Sequence, residues 1–138
     1  MTETDIERVL RAYEAFDLSS PLDGDLYADN FVFQPSVTGS ETAGQEYVGQ
    51  VGWRKYQEAA SEVWSSLTIE VRDLRSLGTG VVLSQGKLHG VGRASGAPVT
   101  TPHFAVFRIQ EGQIVETRVY QNLDEALSFA ATHSDAKA

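Results

Sequence analysis

The sequence contains no cysteine among its 138 residues. Disulfide bonds, thiol nucleophiles and thiolate metal sites are therefore excluded. Basic side chains are also scarce: 11 Lys and Arg stand against 19 Asp and Glu, which gives a formal net charge of −8 at pH 7. Nucleic acids and anionic membrane surfaces bind basic protein faces, so we expect neither of them to be a partner.

Long apolar runs are missing as well. No stretch approaches the roughly 20 apolar residues of a transmembrane helix, and the polar, acidic start MTETDIERVL is unlike a signal peptide. The chain has 138 residues, of which 41% are hydrophobic. It is therefore long enough, and apolar enough, to bury one sizeable core. These features predict a cytoplasmic protein that forms a single domain over residues 1–138.

The spacing of apolar residues predicts an α+β fold. The expected helices, of which the first begins with a capping box between Thr4 and Glu7, cover residues 4–16, 22–28, 51–65 and 123–131. The expected strands cover residues 31–33, 67–77, 81–94, 99–109 and 114–122, and Pro35 ends the first of them. Residues 36–49 are expected to form a loop and residues 132–138 a disordered tail. This order predicts helices that cover one face of a curved antiparallel sheet, so that the molecule is cone-shaped.

The last predicted hairpin carries the candidate site. Its turn, Glu111-Gly112, is typical of a tight two-residue hairpin. If Gln110 faces Gln113, directly opposed residues share a face of the sheet, and one face combines apolar with polar side chains. The polar part of that face is expected to hold His103, Glu116, Arg118, Tyr120 and Asn122, with Phe107 nearer the turn. Such a mixed face is typical of a small-molecule cavity.

His103 is the residue of this face that titrates near neutral pH, which makes it the first catalytic candidate. Tyr120, opposite His103, is expected to hold the imidazole ring or to donate to a ligand oxygen. Arg118 is suited to stabilise an enolate or a carboxylate. Glu116 is suited to neutralise Arg118, or to act as a base if burial raises its pKa. A purely structural role also stays open for these four residues. His103 would then form a hydrogen bond with Tyr120, and Arg118 an ion pair with Glu116.

The remaining histidines do not complete a metal site. In the expected register His89 points away from His103, and His133 lies in the predicted tail, so no metal and no cofactor is expected. The face on which His89 lies carries an apolar row that predicts a homodimer, formed by Phe104, Val106, Val115 and Val119.

Two segments resemble a known family. The runs LYADNFVFQP (26–35) and EGQIVETRVYQNL (111–123) resemble the first and the closing strand of SnoaL-like and ketosteroid isomerase-like proteins. These proteins belong to the nuclear transport factor 2-like superfamily, and the order of elements agrees along nearly the whole chain. The resemblance implies a cone-shaped α+β barrel, nuclear transport factor 2-like or cystatin-like, as a single SnoaL-like domain.

The resemblance also implies a chemistry. Three positions at which relatives carry a catalytic Asp hold Gln34, Ala105 and Asn122 here, and none of these side chains can act as a base. Tyr13 aligns with a Tyr of the relatives' first helix, although a plain core position stays open for it. The residues expected to contact the substrate are Tyr13, Gln34, Tyr56, Phe107 and Asn122. Two functions are implied for a small, mostly apolar, oxygenated ligand such as a polyketide- or terpenoid-like ring. One is a cofactor-free isomerase, cyclase or dehydratase, and the other is a non-catalytic ligand-binding or protein-interaction domain.

Overall fold

The structure is a computed structural model that describes residues 4–16, 20–35, 45–120 and 122–133. Its elements, in chain order, are α1 (Asp5–Glu14), β1 (Tyr27–Gln34), β2 (Tyr47–Val48), α2 (Gly49–Val63), β3 (Trp64–Ser76), β4 (Val81–Gly92), β5 (Pro98–Gln110), β6 (Gln113–Tyr120) and α3 (Leu123–His133). The strands form one sheet in the order β2-β1-β6-β5-β4-β3. Neighbouring strands run antiparallel, except that β1 pairs with β6 in parallel.

The α+β class and the meander of four long antiparallel strands are confirmed. The curved sheet remains open, and the parallel strand β1 makes it mixed rather than purely antiparallel. No helix in the described ranges is long and apolar enough to cross a membrane.

The helix predicted at 22–28 is wrong. Strand β1 already begins at Tyr27, and Leu26 is fully buried with its carbonyl oxygen 2.9 Å from the backbone nitrogen of Ile114. Pairing with β6 thus draws these residues into the sheet, and such a tertiary contact overrides local helix propensity. Strand β1 is longer than the predicted 31–33, and it ends directly before Pro35, as expected.

Two other predicted boundaries are only partly covered by the structure. Helix α3 continues two residues into the predicted tail, to His133, whereas 134–138 lie outside the described residues. The predicted loop 36–49 also lies mostly outside them, but its last part forms the short strand β2 and the start of α2.

Helices α1 and α2 lie across the face of the sheet that we call the inner face. The capping box of α1 is confirmed, and its Val9 and Ala12 pack against Val82 of β4 and Phe107 of β5. Helix α2 packs into a second cluster that joins it to β1, β3 and β4, and this cluster contains Phe31, Tyr47, Trp53, Tyr56, Ala60, Trp64, Leu67 and Leu88. The side chains of α2 that are buried on the sheet are therefore Trp53, Tyr56 and Ala60.

Helix α3 packs on the opposite, outer face, so the expectation that the helices cover a single face is wrong. Its Ala126 and Ala130 pack against Leu83 and Val106, with Phe104 partly buried beside them. The physical reason is that the alternating outer residues of β4 and β5 are apolar here and must be covered. Two residues of the apolar row that predicted a homodimer are thus covered within the chain. The homodimer itself stays a prediction.

A β-bulge in β6 sets the register of the last hairpin. Gln110 pairs with Gln113 and Ile109 with Ile114, as predicted, but Arg108 then pairs with Glu116. Val115 is the extra residue of the bulge, and beyond it every residue of β6 lies on the opposite face from the one predicted. The inner face therefore carries Thr117 and Val119, opposite Phe107 and Ala105, whereas Glu116, Arg118 and Tyr120 lie on the outer face.

Candidate functional site

A cavity lies between the inner face of the sheet and helices α1 and α2. Its volume is about 690 Å³ including the space that opens to solvent. The lining is almost entirely aromatic or aliphatic and comprises Ala12, Tyr13, Phe16, Leu22, Tyr27, Phe31, Phe33, Pro35, Trp53, Tyr56, Leu67, Ile69, Leu88, His103, Ala105, Phe107, Thr117 and Val119. Carboxylates, Lys and Arg are absent from this set of described residues.

The aromatic rings that line the cavity pack against one another edge to face. Phe33 lies 4.8 Å from Tyr56 and 5.5 Å from Trp53, measured between ring centroids, and Tyr13 lies 5.5 Å from Phe107. The indole nitrogen of Trp53 donates to the carbonyl oxygen of Ser20 at 3.1 Å, which fastens α2 to the segment after α1. Rings with such contacts form a wall of defined shape.

His103 lies on β5 at the inner face, as predicted, but its partner is not Tyr120. Its Nε2 lies 3.0 Å from the Tyr13 hydroxyl of α1, and only 2% of its surface is exposed. Burial lowers the pKa of the imidazole to about 4, so the ring is neutral at pH 7. The other ring nitrogen, Nδ1, is buried and has no hydrogen-bond partner among the described residues.

Tyr13 joins this imidazole to a small polar cluster. Burial raises the pKa of the Tyr13 phenol, the nearby Ser84 hydroxyl lowers it, and the neighbouring Tyr27 adds to the rise. The net direction is upward, so the phenol stays protonated and can donate a hydrogen bond. Ser84 is fully buried on β4, where it pairs with Ala105, and its hydroxyl makes no hydrogen bond within the described part of the chain.

Three other predicted catalytic residues do not reach the cavity. Glu116 accepts a hydrogen bond from Arg108 Nη1 at 2.5 Å and another from Arg118 Nε. Burial alone raises the pKa of the Glu116 carboxyl, but these guanidinium groups outweigh it and bring the pKa below its ordinary value. The expectation of a raised-pKa base is therefore wrong. Tyr120 lies beside Phe129 of α3, with 6.2 Å between the ring centroids.

Gln34 and Asn122 are also outside the cavity. The Gln34 side-chain oxygen accepts a hydrogen bond from Arg118 Nη1 at 2.6 Å, and Arg118 Nη2 donates to Glu46 at 2.7 Å. The Asn122 side-chain oxygen accepts from the backbone nitrogen of Glu125 at 3.2 Å, as a cap of α3. The structure thus brings together four predicted site residues, His103, Tyr13, Tyr56 and Phe107, and separates the other five from them.

The prediction that His89 points away from His103 is confirmed. Its imidazole lies on the outer face, where Nε2 is 2.9 Å from a carboxylate oxygen of Glu70 and Nδ1 is 3.1 Å from the Thr100 hydroxyl. Among the residues that the structure describes, no three His, Asp or Glu side chains converge as a metal site would require.

Sequence reasoning missed three polar residues of the site. Ser84 shares the alternation of Val82 and Leu88, so assigning a face to β4 would have placed it inside. Thr117 alternates with Glu116 and Arg118, so the predicted register leaves it on the outer face, and the bulge brings it to the inner face. Tyr27 was hidden in the predicted second helix, and no local signal marked it as a strand residue.

With this geometry established, comparison with known proteins decides the family. A family model described as SnoaL-like domain matches residues 6–117. The chain belongs to the SnoaL-like domain family. No curated protein sequence is significantly similar to it.

Solved structures show that this SnoaL-like protein shares its fold with nuclear transport factor 2-like proteins. One such protein, of unknown function, from Burkholderia pseudomallei K96243 is 16% identical, with 93% of this chain and 97% of that chain covered and a TM-score of 0.74. TerC co-crystallised with polyporic acid is 14% identical, with 89% and 95% covered and a TM-score of 0.71. A candidate SnoaL-like polyketide cyclase from Jannaschia sp. CCS1 is 18% identical, with 93% and 95% covered and a TM-score of 0.65. At these identities the similarity establishes the fold alone.

Proposed function

We propose that this SnoaL-like protein binds a small, mostly apolar, oxygenated molecule in the cavity between the sheet and helices α1 and α2. The observation that carries the proposal is the Tyr13–His103 hydrogen bond of 3.0 Å, set in an almost wholly apolar lining. A few converging polar groups in an apolar cavity are the usual make-up of a small-molecule site. The co-crystallisation of TerC with polyporic acid supports ligand binding on this fold.

The direction of the Tyr13–His103 hydrogen bond indicates which ligand oxygen fits. The neutral imidazole carries one hydrogen, and placing it on Nδ1 would bury an N–H group without an acceptor, which is rare in proteins. We therefore assign the hydrogen to Nε2, which then donates to the Tyr13 oxygen. In this assignment His103 does not use the Tyr13 hydrogen, which can therefore be donated to a ligand oxygen. A ketone, quinone, ether or phenol oxygen, each of which accepts hydrogen bonds, matches this donor.

A second candidate function is catalysis by the same pair, as a cofactor-free isomerase, cyclase or dehydratase. The observation that favours it is the neutral imidazole beside a protonated phenol. This role requires the other tautomer, with the imidazole hydrogen on Nδ1, because Nδ1 is sealed from the cavity. Nε2 would then take a proton from a carbon next to a carbonyl, and the Tyr13 hydroxyl would stabilise the enolate oxygen. With a pKa of about 4, His103 is a base of roughly carboxylate strength. Binding without turnover needs only the geometry described above, so it is the form that we favour.

Calorimetric titration with 2-naphthol, a small ring compound with one oxygen, tests the binding proposal. We expect the affinity to fall about five- to tenfold in Tyr13→Phe, since one hydrogen bond is lost. Tyr120→Phe is the matched control, because this phenol lies on the outer face, and its affinity should equal that of the wild type. Absence of binding to the wild type, or equal affinity for both variants, would overturn the proposal.

A further inference from the structure

The polar groups around the cavity fall into two classes. The Ser84 and Thr117 hydroxyls and His103 Nδ1 are sealed: they have almost no accessible area and no partner among the described residues. The Tyr27 and Tyr56 phenols also lack a hydrogen-bond partner among these residues, yet they are not among the sealed atoms. Among these groups without a protein partner, the two phenols are the ones that can contact a molecule in the cavity.

Tyr27 and Tyr56 line the cavity from different elements. Tyr27 begins β1, with its ring 5.1 Å from Phe31, and Tyr56 lies in the middle of α2, with its ring 4.8 Å from Phe33. Burial raises the pKa of both phenols, so both stay protonated at neutral pH. Each can therefore donate one hydrogen bond and accept another.

The hydroxyl groups are not needed for packing, because a Phe ring would make the same edge-to-face contacts. Without a bound ligand, only water can satisfy these two accessible hydroxyls, and a ligand oxygen can take the place of that water on binding. We infer that Tyr27 and Tyr56 bind a second oxygen of the ligand, apart from the one at Tyr13. The ligand class is thus a ring compound with two or more separated oxygen atoms, rather than one with a single terminal carbonyl. This inference rests on the proposed function.

The test compares two probes that differ by one hydroxyl group, 2-naphthol and 2,6-dihydroxynaphthalene, by calorimetric titration. The wild type should bind the dihydroxy compound about five- to tenfold more tightly, as one added hydrogen bond allows. Tyr27→Phe, Tyr56→Phe or their combination should abolish this gain, so that each variant binds the two probes with equal affinity. Tyr120→Phe, on the outer face, should keep the gain.

The outcomes separate this inference from the proposed function. Loss of the gain in one single variant identifies that phenol as the second contact and upholds the inference. Binding of 2-naphthol without any gain for the dihydroxy probe, or a gain that persists in the double variant, overturns the inference and leaves the proposed function standing. If neither probe binds the wild type, the proposed function fails and this inference fails with it.

Discussion

The hydroxyl of Tyr13 and the Nε2 atom of His103, 90 residues apart in the sequence, lie 3.0 Å apart on the inner face of the sheet. This hydrogen bond ties α1 to β5 and is the polar centre of an otherwise apolar cavity. It also replaces the His103–Tyr120 pair expected from the hairpin, because the bulge at Val115 turns Tyr120 to the outer face.

Removing the Tyr13 hydroxyl should destabilise the fold. Tyr13→Phe leaves a buried nitrogen of His103 without a partner, so we expect the free energy of unfolding to fall by about 1–3 kcal/mol. Urea denaturation at pH 7 measures this change. Tyr120→Phe, with its phenol on the outer face, serves as the control and should change the stability by less than about 0.5 kcal/mol. Equal effects of the two variants would contradict the prediction.

Stability should depend on pH through His103. Burial lowers its pKa from 6.5 to about 4 in the folded protein, so the unfolded chain binds more protons between these values. The free energy of unfolding should therefore fall as the pH drops from about 6.5 to about 4, by at most roughly 3 kcal/mol.

Urea denaturation at pH 7.5 and pH 4.5 tests this dependence. His103→Gln has no imidazole to protonate at this position. The free energy of unfolding of the wild type should therefore fall more on acidification than that of the variant. Parallel pH profiles of the two proteins would show that His103 is not the titrating group.

The catalytic candidate can be tested without the natural substrate. Proton exchange next to the carbonyl of 2-tetralone, followed in D₂O by NMR, reports enolisation directly. If His103 is the base, the protein should accelerate the exchange, and His103→Gln should lower the rate by about two to four powers of ten. An unchanged rate in His103→Gln would assign the imidazole a structural role and leave binding as the function.

Arg118 should matter for stability and not for direct contact with the ligand. Its guanidinium binds Glu116, Gln34 and Glu46 on the outer face. Arg118→Met removes one of the two guanidinium partners of the mostly buried Glu116 carboxylate and should cost about 1–3 kcal/mol. The exposed Arg72–Glu70 pair provides the control, since Arg72→Met should cost less than about 1 kcal/mol.

Ligand titration of the same two variants completes this test. At a temperature where both are folded, Arg118→Met should bind 2-naphthol with the affinity of the wild type. A specific loss of affinity in Arg118→Met alone would place the guanidinium in the site after all, as the hairpin pattern first indicated.

Local chemistry in the sequence determined most of the framework. The Thr4–Glu7 capping box, the Glu111-Gly112 turn and the apolar spacing that predicts α2 are short-range signals, and each is found in the structure. The inward position of His103, Tyr13, Tyr56 and Phe107 also follows from periodicity and resemblance. These features need only residues that are near one another in the chain, or a register that is counted outward from a tight turn.

The tertiary structure alone decided the rest. One extra residue at Val115 reverses the two faces of a strand, and no periodicity reveals it, because a bulge is chosen by the contacts of the whole sheet. Tyr27 joins the sheet because β1 pairs with β6, far along the chain. Local sequence signals thus determined most of the helices and strands, whereas packing among distant elements determined that His103 meets Tyr13 and that Arg118 and Tyr120 face outward.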